Sequence, residues 1–298
     1  MKTRCLRWCN VKDKMLSILI PTFNYDSVPL VKELHKQCVG CDIEFEILVY
    51  DDGSKSALNS INHSINRLQN CTFKELPNNI GRSAIRNLLA KNAKYDLLLF
   101  VDTDTFPKKK NYIKNYINTQ ADVVNGSVIC TENPSKKPFK LRWLYTKFRE
   151  RNALCSSNFL IRKAVFEKFP FDETIKTYGY EDVLFFETLQ KSSIAVLKID
   201  NPVIHASEDS ATTFIKKTEF AINNLISLIQ CEKLDARTVK ASLLYKKLET
   251  FKLVGVTIAF FKVSKWLLIK NFNSSYPSLF LFDFYRLGYF CTLKKNKS

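Results

Sequence analysis

Glycine and long apolar runs are scarce in this sequence. Only 7 of its 298 residues are glycine, which excludes a collagen-like or low-complexity chain. Each glycine is therefore expected to mark a turn that the backbone needs. No uncharged apolar run in the C-terminal region approaches the ~18 residues that a membrane-spanning helix requires. The apolar run Leu16–Pro21 is too short for a signal peptide, and no small-residue cleavage site follows it.

Several functional signatures are also missing. The formal net charge is +17, but no zinc-finger, RRM, KH or helix-turn-helix pattern occurs, so nucleic acid is not an expected partner. No Gly-x-Gly-x-x-Gly follows the first predicted strand, which argues against dinucleotide binding. There is also no P-loop, which argues against a P-loop NTPase.

The cysteines do not form a recognisable framework. There are 9 of them, an odd number, and they are scattered along the chain, which favours free thiols in a reducing, cytoplasmic compartment. Cys38 and Cys41 have no second pair at ligand spacing, which argues against a zinc site.

What is present is typical of a globular α/β protein. Hydrophobic residues make up 46% and charged residues 25% of the chain. The first predicted strand begins after Met15, so residues 1–14 are predicted to be a dispensable extension. Four buried strands and three helices are then predicted in alternation: strands Leu16–Pro21, Phe45–Tyr50, Thr72–Leu76 and Leu97–Val101, and helices Ser27–Cys38, Lys55–Leu68 and Arg82–Ala93. This order predicts a doubly wound, mostly parallel sheet flanked by helices.

Polar side chains follow three of these strands, and in such sheets ligands bind beyond the carboxyl ends of the strands. The residues concerned are Thr22, Asn24, Asp51, Asp52, Asp102 and Asp104. Two aspartates one residue apart at a strand end can share a divalent cation that bridges a diphosphate. Strand-end aspartates also often do no more than cap a helix or a turn, so this pair alone does not decide the function.

Five segments together resemble the family 2 glycosyltransferases, in the order found in that family. They are Leu16–Asn24, Glu46–Ser54, Asn79–Asn87, Leu97–Asp104 and the Glu-Asp segment Gly179–Asp182. The resemblance covers roughly residues 15–212. It implies the GT-A fold, a nucleotide-diphosphate-sugar donor, a Mn²⁺ or Mg²⁺ cofactor, and inversion at the anomeric carbon.

The resemblance also implies a donor site. Its nucleotide-sugar-binding residues are Pro21, Thr22, Asn24, Asp51, Asp52, Arg82, Asp102 and Thr103. Asp51 and Asp52 match the position where a carboxylate binds the base and ribose, although a capped turn before Gly53 is the alternative. Two roles are open for Arg86: an internal ion pair or a contact with the ligand.

Metal-binding and catalytic residues follow from the same resemblance. Asp104 matches the direct metal ligand, Asp102 is a second candidate ligand, and His205 lies where several GT-A enzymes place a histidine ligand, although a lone histidine is often structural. Asp182 matches the base that removes the proton of the acceptor hydroxyl, and a helix N-terminus would keep it ionised. Glu181 is the alternative catalytic carboxylate, or a capping partner.

The implied function is transfer of a single sugar to a glycan or lipid-linked acceptor, in bacterial-type cell-surface polysaccharide or glycolipid assembly. Processive members carry Gln-x-x-Arg-Trp after the Glu-Asp motif, whereas the two Arg-Trp pairs here, Arg7–Trp8 and Arg142–Trp143, both precede it. A sugar-nucleotide nucleotidyltransferase is an alternative, but its usual Gly-rich loop after the first strand is absent. A non-catalytic sugar-nucleotide-binding protein is the third, against which Asp102, Asp104 and Asp182 argue.

The predicted domains are a GT-A catalytic domain over 15–215, with its nucleotide-binding half to about residue 125 and its acceptor half after that, and a basic, aromatic-rich helical region over 216–298. Residues 240–298 carry 11 Lys/Arg and two acids. An apolar stripe, with lysines on the opposite arc, is predicted in Phe251–Lys270: Leu253, Val256, Phe260, Val263 and Leu267, against Lys252, Lys262, Lys265 and Lys270. This region is either a packed helical cap or a peripheral anchor for anionic lipid on the inner face of the cell membrane.

Overall fold

The computed structural model describes residues 15–150, 153–206, 209–237 and 239–296. The extension predicted at residues 1–14 lies outside them. The strands of the described chain are β1 (Met15–Thr22), β2 (Glu44–Asp51), β3 (Cys71–Glu75), β4 (Leu97–Val101), β5 (Thr105–Pro107), β6 (Val123–Asn125), β7 (Val128–Cys130), β8 (Asn158–Arg162), β9 (Val196–Lys198) and β10 (Val203–His205).

The α-helices alternate with the strands at first and then form the C-terminal part of the described chain. They are α1 (Val28–Val39), α2 (Asn59–Asn62), α3 (Arg82–Asn92), α4 (Tyr112–Ile117), α5 (Lys140–Tyr145), α6 (Lys163–Lys168), α7 (Glu181–Lys191), α8 (Ala211–Gln230), α9 (Lys240–Thr250), α10 (Val254–Phe272) and α11 (Leu279–Asn296). A 3₁₀ helix, His63–Arg67, continues α2, and a π-helical turn, Thr146–Glu150, continues α5.

The main sheet has seven strands in the order β3-β2-β1-β4-β8-β6-β9. The four strands predicted from sequence are parallel neighbours, while β8 runs antiparallel to both β4 and β6. A second sheet has the order β5-β10-β7. The prediction of a mostly parallel α/β sheet flanked by helices, with a C-terminal helical region, is confirmed.

Helices cover both faces of the main sheet because its central strands are apolar on both sides. On one face, Leu16, Ile18 and Ile20 of β1 belong to a cluster that includes Val31 and Leu34 of α1. On the other face, Leu19 belongs to a cluster with Ile85 and Leu89 of α3. Strands buried on both faces are near-continuous apolar runs, which is why β1 could be recognised in the sequence.

One predicted helix is wrong in its extent. The segment predicted as a single helix over Lys55–Leu68 begins its helical structure only at Asn59 and divides into α2 and the 3₁₀ turn. The serine hydroxyls compete for the backbone N–H groups that would extend the helix, since Ser54 Oγ accepts from Ser56 N at 3.3 Å and Ser56 Oγ accepts from Leu58 N at 3.2 Å. Serine favours such local turns over helix interiors.

The described chain forms two compact units by its internal contacts. The first contains residues up to Val128 together with Leu154–Phe171 and Phe185–His205, and the second contains Ile129–Ala153, Asp172–Leu184 and the residues from Ala206 onward. These units differ from the predicted division, because the boundary placed after residue 215 falls inside α8. Phe214 and Ile215 of this helix are buried in a cluster of the second unit, so the helix cannot be divided there without exposing them.

In the second unit, α10 and α11 pack against each other through aromatic rings. The ring centroids of Phe261 and Tyr285 are 5.3 Å apart, and those of Phe272 and Phe282 are 5.4 Å apart. Gly288 allows this close approach, since a Cβ there would lie 2.5 Å from the side chain of Phe261. Among the helices that the structure describes, none combines the length and apolarity needed to cross a membrane.

Candidate active site

The carboxyl ends of β1 and β2 place Thr22 beside Asp51. The two residues are partners in the parallel register, and Asp52 N donates to Thr22 O at 2.9 Å. Asp51 is buried; its Oδ2 accepts from Ser54 N at 2.8 Å and from Asn59 Nδ2 at 3.2 Å. Within the described part of the chain, Asp51 Oδ1 and Thr22 Oγ1 are buried without a hydrogen-bond partner. Buried polar atoms are seldom left in this state, so both retain hydrogen-bonding capacity.

Two other predicted donor-site residues lie at the same edge. Pro21 is the register partner of Tyr50. Asn24 follows in a left-handed conformation with φ of 52°, and its Oδ1 accepts from Ser56 Oγ at 2.6 Å. The loop after β1 is thereby joined to the loop after β2. Asn59, which donates to Asp51, is a neighbour of the site that the sequence does not single out, because it falls inside the helix predicted over Lys55–Leu68.

Asp52 caps the turn that leads into α3. Its two carboxylate oxygens accept from Ile80 N at 2.7 Å and from Gly81 N at 3.1 Å. Burial raises the pKa of Asp52, although these two backbone bonds oppose that effect. Gly53 beside it has φ of +66°, and a Cβ there would lie 2.4 Å from the carbonyl carbon of Asn78. Asp52 thus caps the loop before α3, whereas the turn at Gly53, the predicted alternative to ligand binding, is capped by Asp51 through Ser54 N.

Asp102 is held by two arginines of α3. Arg86 Nη2 lies 2.5 Å from Asp102 Oδ1, and Arg82 Nη2 lies 3.4 Å from Asp102 Oδ2. The side chain of Arg86 is 1% exposed whereas that of Arg82 is 41% exposed. Arg86 therefore forms an internal ion pair with Asp102. Of the two arginines, Arg82 is the one that reaches the surface.

The residues after Asp102 form a tight turn. Thr105 donates to Asp102 O from its backbone nitrogen at 3.1 Å and from its hydroxyl at 2.7 Å. Thr103 Oγ1 lies 2.8 Å from Ser27 Oγ, next to the N-terminus of α1. This turn ends at Thr105, where β5 of the second sheet begins.

His205 is brought to Asp104 by the second sheet. β10 pairs antiparallel with β5, and His205 is the register partner of Thr105. As a result, His205 Nε2 lies 3.3 Å from Asp104 Oδ2. An imidazole nitrogen and a carboxylate oxygen at this distance can ligate one divalent cation.

The donor set fits a cation that is shared with a ligand. Among the residues that the structure describes, no group of three or more His, Cys, Asp or Glu side chains could hold a metal ion. Cations in nucleotide sites are often held by one or two protein ligands together with substrate phosphates and water. Asp104 and His205 match that arrangement, whereas the carboxylate of Asp102 is bound by arginine.

The second unit presents Asp182 and Glu181 at the start of α7. The preceding turn is unusual, because Gly179 and Tyr180 both have positive φ, 104° and 69°. Buried Glu181 stabilises this turn by accepting from Gly179 N at 2.8 Å, while Asp182 Oδ1 accepts from Val183 N at 2.8 Å. Glu181, the first residue of α7, thus acts as the capping partner, and Asp182 lies in the first turn of the helix.

A pocket of about 280 Å³ adjoins Asp182 within the second unit. Its wall is rich in aromatic rings and carries two further charged groups; the lining includes Tyr145, Glu150, Tyr178, Tyr180, Phe214 and Arg286. Burial raises the pKa of Tyr180, so its phenol stays protonated near neutral pH. No sequence motif indicated this pocket, because its residues come from α5, α8, α11 and the turns beside them.

Comparisons with known proteins agree with this architecture. The family model described as Glycosyl transferase family 2 matches residues 17–169. An uncharacterized glycosyltransferase, YfnE of Bacillus subtilis (strain 168), is 31% identical over 113 residues, which cover 37% of this chain and 29% of that protein. The chain therefore spans less than a third of this curated relative.

Two solved structures share the fold. S. aureus TarS 1–349 in complex with UDP-GlcNAc has a TM-score of 0.51 at 18% identity, over 95% of this chain and 92% of that one. The mannosyltransferase PcManGT from Pyrobaculum calidifontis, in complex with GDP-Man and Mn²⁺, has a TM-score of 0.51 at 14% identity, over 72% of this chain and 64% of that one.

Proposed function

Because the chain belongs to glycosyl transferase family 2, we propose that it moves a single sugar from a nucleotide-diphosphate sugar to an acceptor hydroxyl, with inversion at the anomeric carbon. The acceptor we propose is a glycan or a lipid-linked saccharide of a bacterial-type cell surface. The observation that carries the proposal is the approach of His205 Nε2 to within 3.3 Å of Asp104 Oδ2, beside the arginine-bound Asp102.

Asp104 and His205 are the residues that would hold Mn²⁺ or Mg²⁺. Their mixed nitrogen and oxygen donors favour Mn²⁺, since Mg²⁺ is usually bound by oxygen ligands alone. When bound, the cation would stabilise the negative charge of the departing nucleoside diphosphate. The solved structure of the mannosyltransferase PcManGT, which shares the fold, is a complex with GDP-Man and Mn²⁺.

The proposed donor site divides the remaining work among three side chains. Asp51, whose Oδ1 lacks a partner in the described chain, accepts a hydrogen bond from the nucleobase or ribose. Asp102, oriented by Arg86 and Arg82, accepts from a ribose or sugar hydroxyl. The partly exposed guanidinium of Arg82 contacts a phosphate. Asp52 acts indirectly in this scheme, because its carboxylate shapes the loop before α3.

Asp182 is the proposed general base. Its position at the N-terminus of α7 favours the ionised carboxylate, which is the form that accepts the proton of the acceptor hydroxyl. The aromatic pocket beside it is the proposed acceptor site, because aromatic faces pack against the apolar faces of sugar rings while Glu150 and Arg286 hydrogen-bond to hydroxyls. Asp182 removes the proton as the acceptor oxygen bonds to the anomeric carbon and the bond to the diphosphate breaks.

The experiment is a thermal-shift screen of UDP- and GDP-sugars with Mn²⁺, followed by a transfer assay with the donor that stabilises the protein. We expect one donor class to raise the melting temperature only when a divalent cation is present. Full turnover in excess EDTA would overturn the metal-dependent site, and an anomeric configuration retained in the product would overturn inversion.

A further inference from the structure

Helix α10 has two apolar faces, and only one of them is buried. Its inner face contacts the rest of the second unit through Ile258, Phe261, Leu268 and Phe272. These residues recur at helical spacing, as expected of a packed helix. To this extent the predicted helical cap describes the structure, but it accounts for only one side of the helix.

The other side of α10 is an exposed apolar stripe. It consists of the five residues predicted from sequence, Leu253, Val256, Phe260, Val263 and Leu267, and we call it the outer face of α10. Val263 is 77% exposed, and Phe260 is 64% exposed although its ring also meets Phe284 of α11, with the ring centroids 5.5 Å apart. Spacings of three and four residues align them over about 17 Å from Val256 to Leu267. Contiguous exposed apolar stripes of this kind mark binding surfaces.

Basic side chains accompany the outer face, with no acid among them. Between Glu249 and Asp283 the sequence has four lysines and no aspartate or glutamate. Lys262 and Lys270 are exposed, and Lys270 follows Val263 and Leu267 at helical spacing, so it lies beside the stripe and not opposite to it. Lys265 lies on the inner side, where its Nζ is 3.5 Å from Glu219 Oε1.

Further large aromatic side chains are exposed in α10 and in the residues that follow it. Trp266, beside Leu267, is 63% exposed. Tyr276 and Phe280, which follow the end of α10, are 84% and 80% exposed. Aromatic residues of this kind are enriched where protein meets the boundary between lipid headgroups and acyl chains.

We propose that the outer face of α10 docks on the surface of a lipid bilayer that contains anionic lipids. The helix would lie in the plane of the interface, with the stripe among the upper acyl chains and with Lys270 at the headgroup phosphates. Charge selects this partner, because a second copy of the chain applied to the same face would oppose lysines to lysines with no acid in the segment to neutralise them. An anionic bilayer supplies both the apolar layer and the counter-charge.

The test uses the full chain and vesicles of phosphatidylcholine with or without 30 mol% phosphatidylglycerol, at rising salt. We expect flotation with the anionic vesicles at low salt and release as salt screens the attraction. Phe260→Ser should weaken binding by about tenfold, whereas Phe220→Ser, a matched change of an exposed phenylalanine on α8, should not. Lys270→Gln should weaken binding about fivefold, and Lys216→Gln on α8 should have little effect.

A second readout reports on the surface itself. Emission of Trp266 should shift to the blue on vesicle binding, and the shift should be lost in Trp266→Phe. Absence of wild-type flotation with anionic vesicles would overturn the proposal, as would equal effects of the two phenylalanine changes. A dimer in solution that dissociates on Phe260→Ser would assign the face to a second copy instead. Donor hydrolysis, measured on the same variants, should stay unchanged, so failure here is separate from failure of the proposed transfer reaction.

Discussion

The carboxylate of Asp104 and the imidazole of His205 lie 3.3 Å apart. They meet because β5, which follows Asp104, pairs antiparallel with β10, which contains His205. Asp104 precedes β5 directly, and His205 is the last residue of β10. The turn that exposes Asp104 is closed by Thr105, whose hydroxyl donates to Asp102 O at 2.7 Å. The pairing of β5 with β10 thus brings together the two residues of the proposed two-ligand metal site.

The two-ligand site should bind Mn²⁺ weakly alone and tightly with a nucleotide. The described residues supply two ligands, so the diphosphate must supply others. We expect UDP or GDP to raise Mn²⁺ affinity by more than tenfold, and Asp104→Asn or His205→Asn to abolish that gain. Free Mn²⁺ measured by electron paramagnetic resonance gives the affinity without an activity assay. Asp104→Ala should also abolish transfer.

Asp122→Asn is the matched control for the metal site, because this aspartate is exposed and pairs with Arg162 at the surface. It should bind Mn²⁺ like the wild type. If Asp104→Asn and Asp122→Asn kept the same nucleotide-dependent affinity, the ligand pair would be wrongly assigned.

The buried ion pair of Arg86 with Asp102 should be important for stability. Removal of one partner from a buried pair leaves an uncompensated charge, which costs about 3–5 kcal/mol. Because the Asp102 side chain is 17% exposed and keeps Arg82 at 3.4 Å, we expect a loss at or below the lower end for Arg86→Met. Urea denaturation measures it.

Arg162→Met breaks an exposed pair with Asp122 and should cost at most about 1 kcal/mol. Similar losses for Arg86→Met and Arg162→Met would show that Arg86 contributes no more than a surface arginine. The same Arg86→Met protein should bind donor less tightly, because Asp102 loses the group that orients it.

Asp182→Asn separates chemistry from donor binding. Donor affinity should stay within a few-fold of the wild-type value, while kcat should fall by ~10²–10⁴, the usual contribution of a general base. Glu181→Gln should act mainly on stability, because its Oε2 holds Gly179 N at 2.8 Å. Isothermal titration with the donor and steady-state kinetics supply the two measurements. A collapse of donor affinity in Asp182→Asn would move this residue to the donor site.

The turn before α7 requires glycine at position 179. Its φ of +104° disfavours any L side chain, and a Cβ there would lie 2.4 Å from Ala221 Cβ. Gly179→Ala should therefore lower the free energy of unfolding by at least about 1–3 kcal/mol. The double variant with Ala221→Gly should recover only part of it, because the backbone strain remains.

Gly255→Ala is the matched control for Gly179→Ala, and we expect it to change the stability in the opposite direction. Gly255 lies in α10 with no atom within 4 Å of an added Cβ, so alanine should stabilise the protein by about 0.5–1 kcal/mol. Thermal denaturation of both variants should show shifts of opposite sign. A neutral Gly179→Ala would contradict the strain argued for the turn.

The strands of the nucleotide-binding half could be predicted because burial on both faces produces continuous apolar runs. Leu97–Val101 was predicted with the bounds that β4 has in the structure. The helix predicted over Lys55–Leu68 was wrong because periodicity does not reveal that Ser54 and Ser56 compete for backbone donors. The limits of the compact units could not be predicted either, because they depend on contacts between α8 and residues distant in sequence.

The sequence by itself determined the parallel α/β core, the family, and which carboxylates follow which strands, because these depend on local periodicity and on motifs in order. Only the tertiary structure decided how those carboxylates are used. Asp52 caps a turn, Asp102 is bound by arginines, and Asp104 meets His205, since hydrogen bonds and strand pairings between distant residues have no signature in either segment alone. Likewise, the sequence showed an apolar stripe on α10, but only packing could determine that α11 covers the opposite face and leaves Val263 and most of the Phe260 ring exposed.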